Sequence, residues 1–369
     1  MHKHTIVVDV RMINSSGIGT YLKNILPIVA TKFNLKLLGN KKEIKKFAWT
    51  KNFELIPFEA KIYSPKEQIL FPKIIPETNL FWCPHFNVPL FSIKAKNIVT
   101  TIHDVNHLAI KNKKFSAKKK YAKKLFKNAV AKSIKIITVS DFSKNEILKF
   151  TNAKENQIKV IYNGVNQNLS NQYEIATRIE IPKKYLLFVG NVKPHKNLIT
   201  LLKAYLNLPE EIKKEYKIVV LGKNEGFITS DEEIFKFIKQ NGLEDAIHFT
   251  GYLDDALIPS LYKNATIFIF PSNYEGFGLP LLESMACNTP VICSDIPSSK
   301  EIAGEAALYF EKNNHTNLSE KIKSVLSNEP LKNQLINKGK KRIKLFDWKN
   351  AANEHIKIFQ EILDNQNYE

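Results

Sequence analysis

Short apolar runs alternate with helix-like patterns from one end of this chain to the other, and that alternation limits its fold more than any other feature. Thr5–Val10, Ile98–Ile102, Ile136–Val139 and Val160–Ile161 read as strands in the first half. Tyr185–Val189, Ile218–Leu221, Ile247–Phe249, Ile267–Phe270 and Val291–Cys293 read as strands in the second. Strands separated by helices give a mostly parallel α/β sheet. Two such series in 369 residues predict two doubly wound domains. The polar stretch Asn166–Ile181 carries no strand pattern and marks the seam, giving domains 1–170 and 171–345. In the tail, Trp348, Ala351, Ile356, Phe359 and Ile362 recur at near-helical spacing, so residues 346–369 read as a final helix and tail.

Open α/β sheets bind ligands beyond the carboxyl ends of their strands, so the turns after the strands come next. The run Thr266–Phe270 leads into Glu275-Gly276-Phe277-Gly278-Leu279-Pro280-Leu281-Leu282-Glu283. The glycines suit a tight turn and close backbone approach to a ligand. Pro280 suits the first helical turn, where its missing N–H costs nothing. One carboxylate then sits on the loop and the second about one turn into a helix whose free N–H groups favour an anionic or polar ligand.

After Val189, the segment Gly190-Asn191-Val192-Lys193-Pro194-His195-Lys196-Asn197 opens a helix over Leu198–Tyr205, and Lys193 and Lys196 are placed to reach a phosphate. Gly251-Tyr252 follows another strand, where backbone groups can meet a nucleobase. In the first half, Asn14–Gly19 reads either as a phosphate-facing loop bearing Gly17 and Gly19, or as a glycine turn for close packing. With Leu22 at the third glycine position it is neither GxGxxG nor a Walker loop.

His103-Asp104 follows a strand; a neutral imidazole there can hydrogen-bond a hydroxyl or move a proton, or can be purely structural. The stretch through His107 superficially resembles a zinc HExxH, but it abuts a strand end and has no third ligand, so no metal is expected. Ser143-Lys144-Asn145-Glu146 matches a capping box, read first as a helix start and second as a ligand contact. Taken together, the strand ends carry lysines for phosphates and carboxylates for hydroxyls. Those are the groups of a nucleotide sugar.

Composition narrows the setting. No apolar run approaches the length of a membrane span, and the N-terminus lacks the apolar core of a secretory signal, so a cytoplasmic location is expected. Cys83, Cys287 and Cys293 form no CxxC pair and read as reduced and structural. The net charge of +19 is carried mainly by lysine. Its densest segment, Lys111–Lys135, interleaves lysines with Phe115, Tyr121, Leu125, Phe126, Ala129 and Val130. Either this is a surface helix with its stripe in the core, or it lies on an anionic inner-membrane surface and holds the protein there peripherally. Nucleic acid is not expected, because no aromatic RNA-binding signature or paired finger is present.

At these residues the chain resembles glycosyltransferase family 4, retaining enzymes of the GT-B fold, and the resemblance covers nearly the whole length. Its most specific part runs from Phe270-Pro271-Ser272 to Glu283 and on to Val291, matching the family's E-x7-E element. Pro194–Asn197, Thr101–Asp104 and Ile137–Ser140 also sit where the family places them. The subgroup resembled is rich in mannosyl- and other hexosyltransferases of bacterial surface polysaccharides, such as O-antigen or capsule.

The resemblance implies two Rossmann-like domains facing across a cleft, with the C-terminal helix crossing back to the first. It implies a nucleotide-sugar donor, with GDP-mannose favoured, a lipid-linked or oligosaccharide acceptor, and neither metal nor other cofactor. By it, Glu283 holds the ribose hydroxyls, while Glu275 and the backbone of Gly276, Phe277 and Gly278, just before Leu279, hold the donor sugar. Lys196 neutralises the diphosphate, the Gly17–Gly19 loop closes on it, and His103 contacts the sugar near the reacting carbon. Asn191, Lys193 and Tyr252 complete the donor site. Asn191 and His195 stand where many members carry arginine, and Lys193 is the cation placed to compensate.

Two other readings use the same residues. One is a sugar-nucleotide epimerase or phosphorylase-like enzyme on this fold, although no pyridoxal-binding lysine context is present. The other is a non-catalytic basic protein that binds membrane or nucleic acid, whose function would survive loss of Glu275.

Overall fold

The computed structural model describes residues 4–110, 116–169, 181–222, 232–251 and 253–364. Two compact units divide at Gly164/Val165 and Phe346/Asp347: Met1–Gly164 with Asp347–Glu369, and Val165–Phe346. The sequence placed these divisions at 170/171 and 345/346. Most of the polar seam, residues 170–180, lies outside the described residues, as do Lys111–Phe115 and Tyr252.

In the first unit seven strands stand in the order β3-β2-β1-β4-β5-β6-β7. They are β1 (Thr5–Asp9), β2 (Asn34–Gly39), β3 (Glu54–Pro57), β4 (Thr78–Cys83), β5 (Ala95–Ile102), β6 (Lys135–Thr138) and β7 (Ile158–Val160). Every pairing is parallel; Ile6 of β1, for example, stands opposite Leu35 on one side and Leu80 on the other. The second unit has six strands in the order β10-β9-β8-β11-β12-β13, again all parallel. They are β8 (Tyr185–Val189), β9 (Lys217–Leu221), β10 (Ile247–Gly251), β11 (Ile267–Phe270), β12 (Val291–Ser294) and β13 (Ala307–Phe310). Ile6, Val7 and Val8, like Ile267, Phe268 and Ile269, are wholly buried, because helices cover both faces of such a sheet.

Both sheets reverse direction once, between β1 and β4 and between β8 and β11. A crevice opens at the carboxyl ends of the strands at such a switch point. Four strands were not read from the sequence: β2, β3, β4 and β13. β4 carries one β-branched residue, Thr78 at its start, and a short apolar run such as Leu80–Cys83 is indistinguishable from a helix segment by period.

The tail helix Trp348–Asp364 belongs to the first unit. Its Ala352, Ile356, Phe359 and Leu363 join Tyr21, Leu22 and Ile25 of helix Ser16–Val29 in one core. A directional chain of hydrogen bonds runs through that core. His355 Nδ1–H donates to the Ala351 carbonyl at 2.7 Å, so the neutral ring accepts at Nε2 from the Tyr21 hydroxyl. The Thr101 hydroxyl donates to the Tyr21 oxygen at 3.1 Å, and the Trp82 indole N–H donates to Thr101 at 3.1 Å. Burial lowers His355 to a pKa of about 4, which keeps the ring neutral.

The basic helix Ser116–Lys132 buries Phe126, Ala129 and Val130 in the first unit's cores, buries Leu125 as well, and exposes Lys120, Lys123, Lys124 and Lys127. These four apolar side chains are therefore committed to the protein interior, Tyr121 is half-buried, and Phe115 lies outside the described residues. Among the described residues no helix is long and apolar enough to cross a membrane.

Candidate active site

The switch point of the second sheet brings Lys196 and Glu275 together. After β8 the chain turns through Gly190, at φ +148°, and a short 3-10 turn Pro194–Lys196, before helix Leu198–Leu206 begins. After β11 it runs through Pro271–Phe277 to Gly278, which caps helix Leu279–Ala286 at φ +99°, a conformation open mainly to glycine. Pro280 lies in the helix's first turn, as its fixed φ favours.

The two loops are laced to each other. The Asn273 N–H donates to the His195 carbonyl at 2.7 Å. Asn197 adopts the left-handed conformation and donates from Nδ2 to the Pro271 carbonyl at 3.0 Å, while its Oδ1 accepts from Thr200 at 2.9 Å. This lacing sets Lys196 Nζ 2.6 Å from Glu275 Oε1. Both side chains are mostly buried, at 19% and 14% exposure, so the pair is screened less than a surface pair. Lys196 Nζ also lies 5.7 Å from the centre of the Phe270 ring. A cation and an anion meet here at the carboxyl ends of β8 and β11, beside a helix start.

One turn into that helix, Glu283 accepts a hydrogen bond from the Tyr262 hydroxyl at 2.9 Å. Burial raises the Glu283 carboxyl above its ordinary range; the Tyr262 bond opposes the shift and Asp255 adds to it. Phe277 is buried and meets the Phe346 ring edge-on at 5.9 Å. Asn191 and Lys193 are half-buried on the first loop. Of the expected donor residues in this unit, only Tyr252 lies outside the described residues.

The first unit holds His103, Gly17 and Gly19. His103 follows β5 directly, and its Nε2–H donates to the Pro84 carbonyl at 3.0 Å. A carbonyl only accepts, so the ring proton is on Nε2 and Nδ1 carries the lone pair. Burial lowers the ring to a pKa of about 4. His103 is therefore a neutral acceptor near pH 7, and it stands edge-on to Tyr21 with 4.9 Å between ring centres.

Gly17 and Gly19 lie in the first turn of helix Ser16–Val29 rather than in a loop before it. A Cβ on Gly19 would come within 2.5 Å of the Ile13 carbonyl oxygen, so this glycine serves close packing. Gly17 is exposed with open space where a side chain would stand. The capping-box reading of Ser143 is also corrected. Helix Asp141–Phe150 starts earlier, Ser140 is its N-cap, and Ser143 instead donates from its hydroxyl to the His103 carbonyl at 3.0 Å.

Sequence reasoning missed a buried ionic cluster at the switch point of the first sheet. Arg11 binds Asp9 through Nε at 2.8 Å and Nη2 at 2.5 Å, and Glu67 through Nη1 at 2.6 Å. Asn87 Nδ2 donates to Glu67 at 2.5 Å, and the Asn87 N–H donates to His85 Nδ1 at 3.2 Å. Burial alone would raise Asp9, but Arg11 and His85 outweigh it and hold the carboxyl well below its usual range. The Asp9, Cys83 and His85 ligand atoms lie within 4.8 Å of one another. That donor set suits a cation poorly: Arg11 occupies both Asp9 oxygens, and burial keeps the Cys83 thiol protonated. None of these residues was singled out from the sequence, because Glu67, His85 and Asn87 reach Asp9 and Arg11 from distant positions and leave no local signature.

Known proteins resemble this chain in sequence and in fold. Residues 171–342 match the family model of Glycosyl transferases group 1, and residues 78–169 that of Glycosyltransferase Family 4. The chain is 28% identical over 288 residues to O-antigen chain mannosyltransferase B of Escherichia coli, covering 75% of this chain and 73% of that one. It is 32% identical over 268 residues to the uncharacterized glycosyltransferase MJ1178 of Methanocaldococcus jannaschii, covering 72% and 69%. Among solved structures, Anabaena HepE in complex with UDP and glucose has a TM-score of 0.76 at 17% identity, covering 97% of this chain and 100% of that one. The fold is the GT-B fold, and this chain belongs to the family 4 glycosyltransferases.

Proposed function

We propose that this glycosyltransferase moves a hexose, with retention of configuration, from a nucleotide sugar to a lipid-linked or oligosaccharide acceptor in surface polysaccharide assembly. The carrying observation is the Lys196–Glu275 pair at the carboxyl ends of β8 and β11, with Glu283 one helical turn beyond. A lysine suits a diphosphate, and carboxylates suit sugar and ribose hydroxyls. GDP-mannose is the donor of first choice, supported by the mannosyltransferase name of the Escherichia coli relative. The UDP bound to HepE supports a nucleoside diphosphate leaving group and makes UDP-sugars the comparison.

In the reaction the anomeric C–O bond breaks and its electron pair goes to the β-phosphate oxygen. Lys196 and the N–H groups of the helix starts stabilise that charge more in the transition state than in the ground state, which lowers the barrier. The acceptor hydroxyl attacks from the same face and gives its proton to the leaving phosphate, so no protein nucleophile is needed. Glu275 and Glu283 are not a glycosidase pair, because Glu283 is committed to the ribose. His103, protonated on Nε2, accepts at Nδ1 from a sugar hydroxyl and donates no proton there. The reaction uses no metal, because Lys196 supplies the cation. Acceptors carried on lipid place the protein at the cytoplasmic face of a membrane, where the exposed lysines of helix Ser116–Lys132 favour an anionic surface.

The test is transfer from GDP-mannose, and in parallel from UDP-glucose, to a polyprenyl-linked oligosaccharide in the presence of chelator, with the product anomer read by NMR. The proposal expects an α-linked product from one donor. A β-linked product overturns retention, and dependence on added metal overturns the role given to Lys196.

A further inference from the structure

We infer that Tyr262 is a positioning residue for the donor ribose, acting through Glu283. The inference rests on the reading of Glu283 as the ribose-binding carboxylate. Tyr262 is wholly buried on helix Ile258–Asn264 and is pinned on two sides. Its carbonyl accepts from the Thr289 hydroxyl at 2.6 Å, just beyond the helix that carries Glu283. Its ring stands edge-on to Phe268 of β11 with 5.4 Å between centres. With backbone and ring both fixed, the hydroxyl has one direction available, and it donates to Glu283 Oε2 at 2.9 Å.

A glutamate side chain has three rotatable bonds and does not hold a two-hydroxyl geometry unaided. One bond from a rigid phenol fixes the carboxylate plane and leaves acceptor capacity at both oxygens for the ribose 2′- and 3′-hydroxyls. A hydroxyl donor also favours the ionised carboxylate, which burial disfavours at this position. Tyr262 thus holds the half-buried Glu283 as an oriented acceptor. It touches no reacting atom, so its loss should weaken donor binding and spare the chemical step.

The experiment compares Tyr262→Phe, Glu283→Ala and the unaltered protein. GDP, UDP and ADP are titrated against each, and the tightest binder is then matched with its 2′-deoxy counterpart. Tyr262→Phe should weaken the ribonucleotide about tenfold, the scale of one hydrogen bond to a charged group. The deoxynucleotide should be nearly unaffected, so the ribose preference collapses. In turnover the donor KM should rise similarly with little change in kcat. A variant that merely loosened the fold would weaken both nucleotides equally. If Glu283→Ala loses the ribose preference and Tyr262→Phe keeps it, positioning by Tyr262 is wrong and the role of Glu283 stands. If Glu283→Ala keeps the preference, or no nucleotide binds, the ribose reading fails and takes this inference with it. Should Tyr262→Phe not fold, 3-fluorotyrosine at position 262 provides the same test with a stronger donor. A sharper ribose preference then supports the inference and an unchanged one overturns it.

Discussion

Lys196 and Glu275 neutralise each other at 2.6 Å, so the candidate donor site carries its own counterion. A diphosphate brings negative charge that competes with Glu275 for the lysine, and the freed carboxylate can then accept sugar hydroxyls. Lys196→Ala should lower kcat by about two to three orders of magnitude, the scale of one oriented donor on a developing charge. It should also narrow the affinity gap between nucleoside di- and monophosphates, both readable by steady-state kinetics and calorimetry. A change in KM alone would mean that Lys196 holds the ground state only. His103 offers a second test. Its folded pKa of about 4 lies below the usual 6.5, so between those values the unfolded chain binds the extra proton. His355 shares that value. Stability should therefore be steady above pH 7 and fall as pH drops from about 6.5 toward 4. Imidazole NMR should show Nε2-protonated His103 with no titration near pH 6.5, and a titration there would contradict the assignment. The carboxylates, lysines and His103 were legible as strand-end residues. Tyr262 and the Arg11 cluster were not, because a buried hydrogen bond joins residues that no local pattern connects.

At the scale of elements, the tail helix is held by shape and by one chain of hydrogen bonds. Phe359 is wholly buried in the first unit's core, and Phe359→Ala should cost about 3–5 kcal/mol in chemical denaturation. Tyr21→Phe keeps the shape but leaves His355 Nε2 without its donor, which should cost about 1–3 kcal/mol. If both variants melt like the unaltered protein, the helix does not stabilise that unit as described. The period of the tail was legible from Trp348 to Ile362, as were most strands with β-branched runs. Strand β4 was not, since Leu, Phe and Trp suit either structure. The helix that Ser140 starts was read three residues late because Ser143 offers an equally good local match. Tertiary contact decides between them: Ser143 is buried and bonded to the His103 carbonyl.

Over the whole molecule, 55 basic against 36 acidic side chains leave a charge of +19. The densest lysine segment read as a surface helix or as a helix lying on an anionic membrane. Burial of Leu125, Phe126, Ala129 and Val130 in the protein interior excludes insertion of those side chains into a bilayer. Attraction between exposed lysines and anionic lipid is still expected. It should appear as binding to phosphatidylglycerol vesicles at low salt that is lost as ionic strength approaches about 1 M, where the Debye length shrinks to about 3 Å. Salt-resistant binding would show an apolar contribution and contradict this account. Such binding would locate the protein without establishing its chemistry.

The donor site is tested most directly by thermal denaturation of the protein in chelator with GDP, UDP, ADP and their common sugar conjugates, alongside Lys196→Ala. One nucleoside diphosphate and its conjugates should stabilise the protein by about 2.7 kcal/mol at a hundred times the dissociation constant. The stabilisation should be largely absent in the variant. Folded protein that none of these ligands stabilises, or a Lys196→Ala variant stabilised as fully as the parent, would contradict a donor site at the carboxyl ends of β8 and β11.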